Sequence, residues 1–386
     1  MRRAGVLFVS HDACRAGAQM ELLHFVRWFK GNCDRPFSIL LPSDGELSAD
    51  FAKVAETWAI DRSCWCPGGI RAATLRVVGL GHRAQRAQAK DIWRFASRCS
   101  PGLIYMNSIS SAWADMLPAN VPVLTHVHEL DYAFRMQSQP RLERLLAMTR
   151  QFIACSEATS RNLVRNWGVP AERVETVHEF VPVNEIRAGR HSRELFDELG
   201  IPHEAQLVIG CGTADWRKGA DLFIQAARLI CQQRTDVVFV WVGARTDQQF
   251  TEFEHDVRAA GLSGKVILKA ASPGCADYIA AADVFLLTSR EDPFPLVCLE
   301  AAALSKPIVC FADAGGIPEF VEDDCGFVVP YLDVACIARR VLNLLDHPEC
   351  RCKMGAAAKH KVLARHDVSV AAPRIMEIIE RTISRG

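Results

Sequence analysis

Short apolar runs closed by turn residues recur along the whole of this 386-residue chain, with amphipathic segments filling the intervals between them. In the first half the runs are Val6–Ser10, Phe37–Leu41, Leu103–Asn107, Val121–His126, Phe152–Ser156 and Val174–His178. In the second half they are Leu207–Gly212, Val237–Gly243, Val266–Lys269, Val284–Thr288, Ile308–Ala312 and Phe327–Pro330. They are rich in β-branched residues and bounded by Gly, Pro, Asp or Asn. Continuous apolar runs of this length read as strands buried on both faces. Between them lie segments such as Asp221–Ile230, whose apolar positions follow a helical period. Strand and helix alternating in this way build a parallel sheet with helices on its faces. The series occurs twice, separated by the polar stretch Val183–Arg190. The expected fold class is therefore α/β, with two Rossmann-like doubly wound parallel-sheet domains facing a cleft. A chain of this length ordinarily divides into two domains, and the expected boundaries are residues 1–184, residues 185–364 and a terminal segment at 365–386.

Composition narrows the classes. With 49% hydrophobic and 23% charged residues, the chain has the make-up of a water-soluble globular protein. Formal net charge is zero, and nothing global points to nucleic acid. The balance is uneven, because residues 1–184 hold 22 Lys and Arg against 17 Asp and Glu, an excess of five positive charges. No run reaches the roughly 18 apolar residues of a membrane span. The apolar part of the first ten residues is short for a signal peptide. Of the 15 cysteines, Cys155, Cys211, Cys298 and Cys310 lie inside apolar runs, where the thiol acts as a small hydrophobe. With no CxxC spacing, a reduced, cytoplasmic protein is the expected reading.

The chemistry concentrates at strand ends. After Val284–Leu287 comes Thr288-Ser289-Arg290-Glu291-Asp292-Pro293-Phe294-Pro295, and Leu299–Leu304, which carries Glu300, reads as a helix. In open α/β sheets, ligands bind beyond the carboxyl ends of strands, and a helix N-terminus there offers N–H groups to phosphate. After Leu207–Gly212 stand Arg217 and Lys218, a planar fork and a point charge suited to a diphosphate. After Ile308–Ala312 stand Gly315 and Gly316, which permit close backbone approach. In the first half, Gly17 lies in a loop of small residues before the helical segment Met20–Phe29. His126 and His128 close another strand and share a face, a metal-type pair without a third ligand nearby in sequence. Arg83, Arg86, Lys90 and Arg94 have helical spacing and form one basic stripe. It reads either as a solvated helix face or as contact with an anionic membrane surface or acceptor phosphate.

Together these residues resemble the retaining nucleotide-sugar glycosyltransferases of the GT-B fold, glycosyltransferase group 1 or GT4. The motifs are Asp292-Pro-Phe-Pro-Leu-Val-Cys-Leu-Glu300, Gly315-Gly-Ile-Pro-Glu319, Gly326-Phe-Val-Val-Pro330 and Lys218. His128-Glu129 and the loop around Gly17 match the N-terminal half. Asp292 stands where the family usually has Glu, and Thr213 where it usually has a phosphate-binding Arg. The resemblance implies an acceptor-binding domain at 1–184 and a nucleotide-sugar-binding domain at 185–364. It also implies that the terminal segment packs back on the first domain.

The same resemblance implies a catalytic set of His128, Asp292 and Lys218. Its donor contacts are Gly17, Arg217, Lys218, Phe294, Pro295, Leu296, Val297, Glu300, Gly315 and Gly316. No metal and no cofactor are expected; the donor is a UDP- or GDP-linked sugar. The expected acceptor is a glycan, a lipid-linked sugar or a polysaccharide, met in the cytoplasm or at the inner face of the membrane. Two other readings share the fold: a sugar-nucleotide epimerase, and a catalytically silent glycosyltransferase-like scaffold.

Overall fold

The computed structural model describes residues 4–41, 44–59, 92, 94–109, 120–244, 248–271 and 274–385. The chain forms two compact units. Unit 1 comprises residues 1–178 and 371–386, and unit 2 comprises residues 179–370.

Unit 1 is built on a seven-stranded sheet in the order β3-β2-β1-β4-β5-β6-β7. Its strands are β1 (Gly5–Ser10), β2 (Phe37–Leu41), β3 (Glu56–Ala59), β4 (Pro101–Asn107), β5 (Val123–Val127), β6 (Thr149–Ala154) and β7 (Val174–Thr176). Every pairing is parallel. Unit 2 carries a six-stranded parallel sheet in the order β10-β9-β8-β11-β12-β13. These strands are β8 (Gln206–Cys211), β9 (Val237–Ala244), β10 (Val266–Ala270), β11 (Val284–Leu287), β12 (Ile308–Phe311) and β13 (Gly326–Val329).

All twelve strands read from the apolar runs are present, with ends moved by a few residues. The thirteenth, β3, was not read, because Glu56-Thr-Trp-Ala59 is short, half exposed and at the sheet edge. Among the described residues only one side of it is paired, so nothing demands a continuous apolar run. The central strands do demand one: β11, Val-Phe-Leu-Leu, and β12, Ile-Val-Cys-Phe, are buried at every position. In unit 2 helices Ala220–Cys231 and Val334–Asp346 bury Phe223, Ile230, Val341 and Leu344 in one apolar core with Phe239, Trp241 and Leu286 of the sheet. In unit 1 Phe8 of β1 meets Phe25 and Phe29 of helix Gly17–Asn32 edge-on, at ring separations of 5.8 and 5.6 Å.

Each sheet starts in its middle. The chain runs outward from β1 to β3 and then crosses to β4; it runs outward from β8 to β10 and then crosses to β11. Adjacent strands whose connections leave in opposite directions open a crevice at their carboxyl ends. In unit 2 that crevice lies between the ends of β8 and β11, and the loops that follow these two strands hold Lys218 and Asp292.

Helix Val368–Ser384 includes the terminal part of unit 1 and buries Ala371, Ala372, Ile375, Ile378 and Ile379. Within unit 1, Glu380 meets the buried Arg35 at 2.5 Å, and Arg381 meets Glu175 at 2.5 Å. Among the described residues no helix is long and apolar enough to cross a membrane.

Candidate active site

Lys218 reaches its place through its backbone. The Lys218 amide donates to Asp215 Oδ1 at 2.8 Å, and the next residue, Gly219, turns left-handed with φ +71°. Any Cβ at Gly219 would lie 2.1 Å from the Thr288 carbonyl oxygen at the end of β11. Thr288 Oγ1 in turn donates to the Gly219 carbonyl at 2.8 Å. The loop after β8 is thus pressed onto the loop after β11, which only glycine allows. The Lys218 methylenes then lie along Gly212, where an added Cβ would meet them at 3.3 Å.

From this seat Lys218 Nζ donates to Asp292 Oδ2 at 2.5 Å. Asp292 is almost fully buried, and Ser289 Oγ donates to the same oxygen at 3.1 Å. Arg217 Nη1 stands 3.7 Å from the other carboxylate oxygen and donates to the Glu291 carbonyl at 3.0 Å. Two cations therefore face one carboxylate. The Asp292 backbone ties in the third loop: its amide donates to the Ala314 carbonyl at 2.6 Å, and the Gly316 amide donates to the Asp292 carbonyl at 3.2 Å. Gly315, with φ +141°, makes the bend that permits this bridge.

Helix Leu296–Ala303 begins three residues before the stretch read as helical, with Pro295 as its cap and no acid in its first turn. The amides of Leu296 and Val297 take no partner among the described residues, whereas Cys298 turns back to the Pro295 carbonyl at 3.0 Å. Free N–H groups at a helix start carry positive partial charge. The Phe294 side chain points elsewhere: it is buried and stacks on the His366 ring at 5.3 Å. Glu300 lies on the second turn, half-buried, with no hydrogen bond or ion pair for its side chain among the described residues. Desolvation raises its carboxyl above the ordinary glutamate value.

Arg290 is spent on the fold. It grips Asp221 with both nitrogens at 2.8 and 2.7 Å and lies over Trp216, locking the Arg217–Lys218 loop from its outer side.

In unit 1, Gly17 opens helix Gly17–Asn32, and a Cβ there would meet nothing within 4 Å. His128 lies just past the end of β5. Asn107, the last residue of β4, joins the two: its Nδ2 donates to the Ala18 carbonyl at 2.8 Å, which leaves its Oδ1 to accept from His128 Nε2 at 3.1 Å. His128 therefore carries its proton on Nε2. Asn107 was missed by sequence reasoning; its one signal was a polar residue closing an apolar strand. Glu129 accepts from Ser108 Oγ and from the Ile109 amide, stapling the ends of β4 and β5.

The third donor that sequence spacing did not offer the histidine pair comes from the helix. Glu21 Oε2 lies 3.9 Å from His126 Nδ1 and 3.9 Å from His128 Nε2. The three side chains have the types and spacing to hold a cation. However, both facing nitrogens are already bonded, His126 Nδ1 to the Tyr105 hydroxyl at 2.6 Å and His128 Nε2 to Asn107. Burial, with His128 beside it, holds His126 well below the ordinary histidine value and therefore neutral.

Of the basic stripe, Arg83, Arg86 and Lys90 lie outside the described residues; Arg94 lies within them and is exposed.

The model of the glycosyl transferases group 1 family matches residues 191–361, and that of Glycosyltransferase Family 4 matches residues 67–185. The chain belongs to the group 1 glycosyltransferases. The D-inositol 3-phosphate glycosyltransferase of Streptomyces bingchenggensis is 27% identical over 228 residues, 56% of this chain and 50% of that protein. Its namesake in Streptomyces scabiei is 28% identical over 233 residues, 58% of this chain and 52% of that protein. The chain thus spans about half the length of these curated relatives. Among solved structures, HepE of Anabaena in complex with UDP and glucose matches with a TM-score of 0.81 and 20% identity, over 98% of this chain and 100% of that chain. Sucrose-phosphate synthase of Thermosynechococcus elongatus matches with a TM-score of 0.80 and 17% identity over the whole of both chains. At those identities the likeness is one of fold, and that fold is GT-B.

Proposed function

We propose that this group 1 glycosyltransferase moves a sugar, with retention, from a nucleoside-diphosphate sugar to a hydroxyl of a glycan, lipid-linked or polysaccharide acceptor. The observation that carries this reading is the junction of three loops in unit 2. There Lys218 and Arg217 converge beside the open N-terminus of Leu296–Ala303, with Glu300 one turn further on.

Glycosyl transfer passes through a cationic sugar ring, and negative charge grows on the departing phosphate. Lys218, Arg217 and the amides of Leu296 and Val297 take up that charge in this proposal. They are fixed in advance by the fold, so little reorganisation is needed as the bond breaks. Glu300, on a rigid helix, accepts the two ribose hydroxyls as a carboxylate. Asp292 sets Lys218 and offers its remaining oxygen to the sugar. Gly315 lets the loop approach the donor closely, while Gly316 spends its amide on holding that loop. In unit 1 we assign Gly17 and His128 a narrower role, presenting a backbone N–H group and the edge of an imidazole ring to a substrate. The structures of HepE in complex with UDP and with UDP-glucose favour UDP over GDP as the carrier.

The test is nucleotide release from UDP- and GDP-sugars. Acceptors would span inositol phosphate, oligosaccharides and isolated membranes, with the anomeric configuration of any product read by NMR. Release dependent on acceptor, with the donor configuration kept, is expected. Isomerised sugar without acceptor would overturn the reading in favour of an epimerase. Absence of both release and calorimetric binding of UDP and GDP would overturn it in favour of a silent scaffold.

A further inference from the structure

Unit 2 holds a pair of thiols that the transfer reaction does not use. Cys211 is the last residue of β8 and Cys275 the first of helix Cys275–Ala281, 64 positions later. Their sulfurs lie 3.1 Å apart, about 1 Å beyond the roughly 2.0 Å of a disulfide bond. Neither is sealed in the core: both are half-buried, whereas Cys155, Cys298, Cys310 and Cys325 are buried. The sequence pattern gave Cys211 only the reading of a small hydrophobe in an apolar strand, and the fold supplies its partner.

The pair also sits against the donor machinery of unit 2. Cys211 precedes Gly212, on which the Lys218 methylenes rest and whose carbonyl accepts from Trp241 Nε1 at 2.9 Å. On the other side, Cys275 lies close enough to Glu300 to feel its charge. Contact with Cys211 and burial both hold the Cys275 thiol above its ordinary value. Exchange needs a thiolate, so closure quickens as pH rises.

We propose that Cys211 and Cys275 form an oxidisable dithiol, closed to a disulfide by exchange with a small disulfide, and that closure weakens donor binding. In the first step the Cys211 thiolate attacks one sulfur of the small disulfide and expels one thiolate. In the second, Cys275 gives up its proton, attacks Cys211 Sγ in the mixed disulfide and expels the other small-molecule thiolate. Two protein thiols lose two hydrogens, and one small disulfide becomes two thiols. Closure draws the end of β8 toward the start of Cys275–Ala281, between the seat of Lys218 and the Glu300 carboxylate. The effect on donor binding rests on the proposed nucleotide role of those two residues, whereas formation of the disulfide does not.

The full chain, reduced and then treated with glutathione disulfide, is digested without reductant and its peptides are mapped by mass spectrometry. A linked peptide pair containing Cys211 and Cys275 is expected, forming faster at alkaline pH. UDP affinity of the oxidised protein is expected to fall roughly 5- to 150-fold, the usual span of coupling between two sites, and to return on reduction. In Cys275→Ser and in Cys211→Ser, UDP affinity is expected to be indifferent to the oxidant. Glutathione found only on exposed Cys14 and Cys352, with no linked pair, would overturn the dithiol. A linked pair with unchanged UDP affinity would overturn its control of the site. Reduced protein that binds no UDP or GDP would instead overturn the proposed function, leaving the mapping to judge the dithiol by itself.

Discussion

Lys218 has three N–H donors, and one is committed to Asp292. A carboxylate and a diphosphate would therefore share this ammonium, each limiting how far it leans toward the other. Lys218→Ala removes a charge aimed at the leaving group, and we expect turnover to lose on the order of 2–4 kcal/mol of transition-state stabilisation. It also leaves Asp292 with one partner fewer. A double-mutant cycle with Asp292→Ala should show coupling of about 0.5–3 kcal/mol in urea unfolding. Additive effects would mean that the two residues act independently. Glu300 gives a prediction in pH. Its carboxyl is raised by burial from 4.5, and in the proposed role only the ionised form can accept from both ribose hydroxyls. Nucleotide affinity should thus fall as pH drops through that raised value, while Glu300→Gln binds weakly with a flat profile across the same range; calorimetry at stepped pH reads both. For folding the sign is opposite. The stabilisation from a protonated Glu300 is fully present below the unfolded value and lost as pH rises through the folded one.

At the scale of elements, the loop contact at Gly219 is the most exacting joint. Gly219→Ala combines a left-handed φ with a Cβ 2.1 Å from a backbone oxygen. We expect it to cost at least about 1–3 kcal/mol, read as a lowered urea midpoint at unchanged slope. Because the strained residue adjoins Lys218, turnover should fall with it. What the sequence made visible follows from burial. Central strands such as β9 and β11 cannot face water on either side, so they spell themselves in apolar residues. Edge strand β3 is released from that demand and was missed. Helix Leu296–Ala303 starts on Leu-Val-Cys, an apolar triplet that looks like strand, so its true beginning was hidden while its Glu300 was not. Asp292 and Lys218 were each legible as charges at strand ends. Their contact was not, because it joins residues 74 positions apart and depends on the backbone turn at Gly219. Asn107 was illegible for a related reason: nothing along the chain marks the two partners it connects.

At the scale of the whole molecule, unit 1 is made of two separated pieces of chain. The second piece supplies Ile375, Ile378 and Ile379, all buried, along with Glu380 for the otherwise enclosed Arg35. Burying three such side chains contributes about 4.5–9 kcal/mol at 1.5–3 kcal/mol each, comparable to the entire stability of an ordinary domain. Truncation after Val370 is therefore expected to leave unit 1 open to proteolysis while unit 2, whose residues are all retained, stays resistant. Equal resistance of both units would show that the terminal piece is dispensable.

The interrupted course of unit 1 also bears on how the protein is made. Chains emerge from the ribosome in order, and domains commonly fold amino-terminal first. Here that order is reversed. All residues of unit 2 have been synthesised before the last piece of unit 1 exists, so the later-begun unit is the first able to finish. The seven strands of unit 1 must wait through the synthesis of nearly two hundred residues of unit 2 for the last piece of their own unit. Unit 1, not the proposed donor-binding unit, is the part of the nascent chain that a chaperone would have reason to hold.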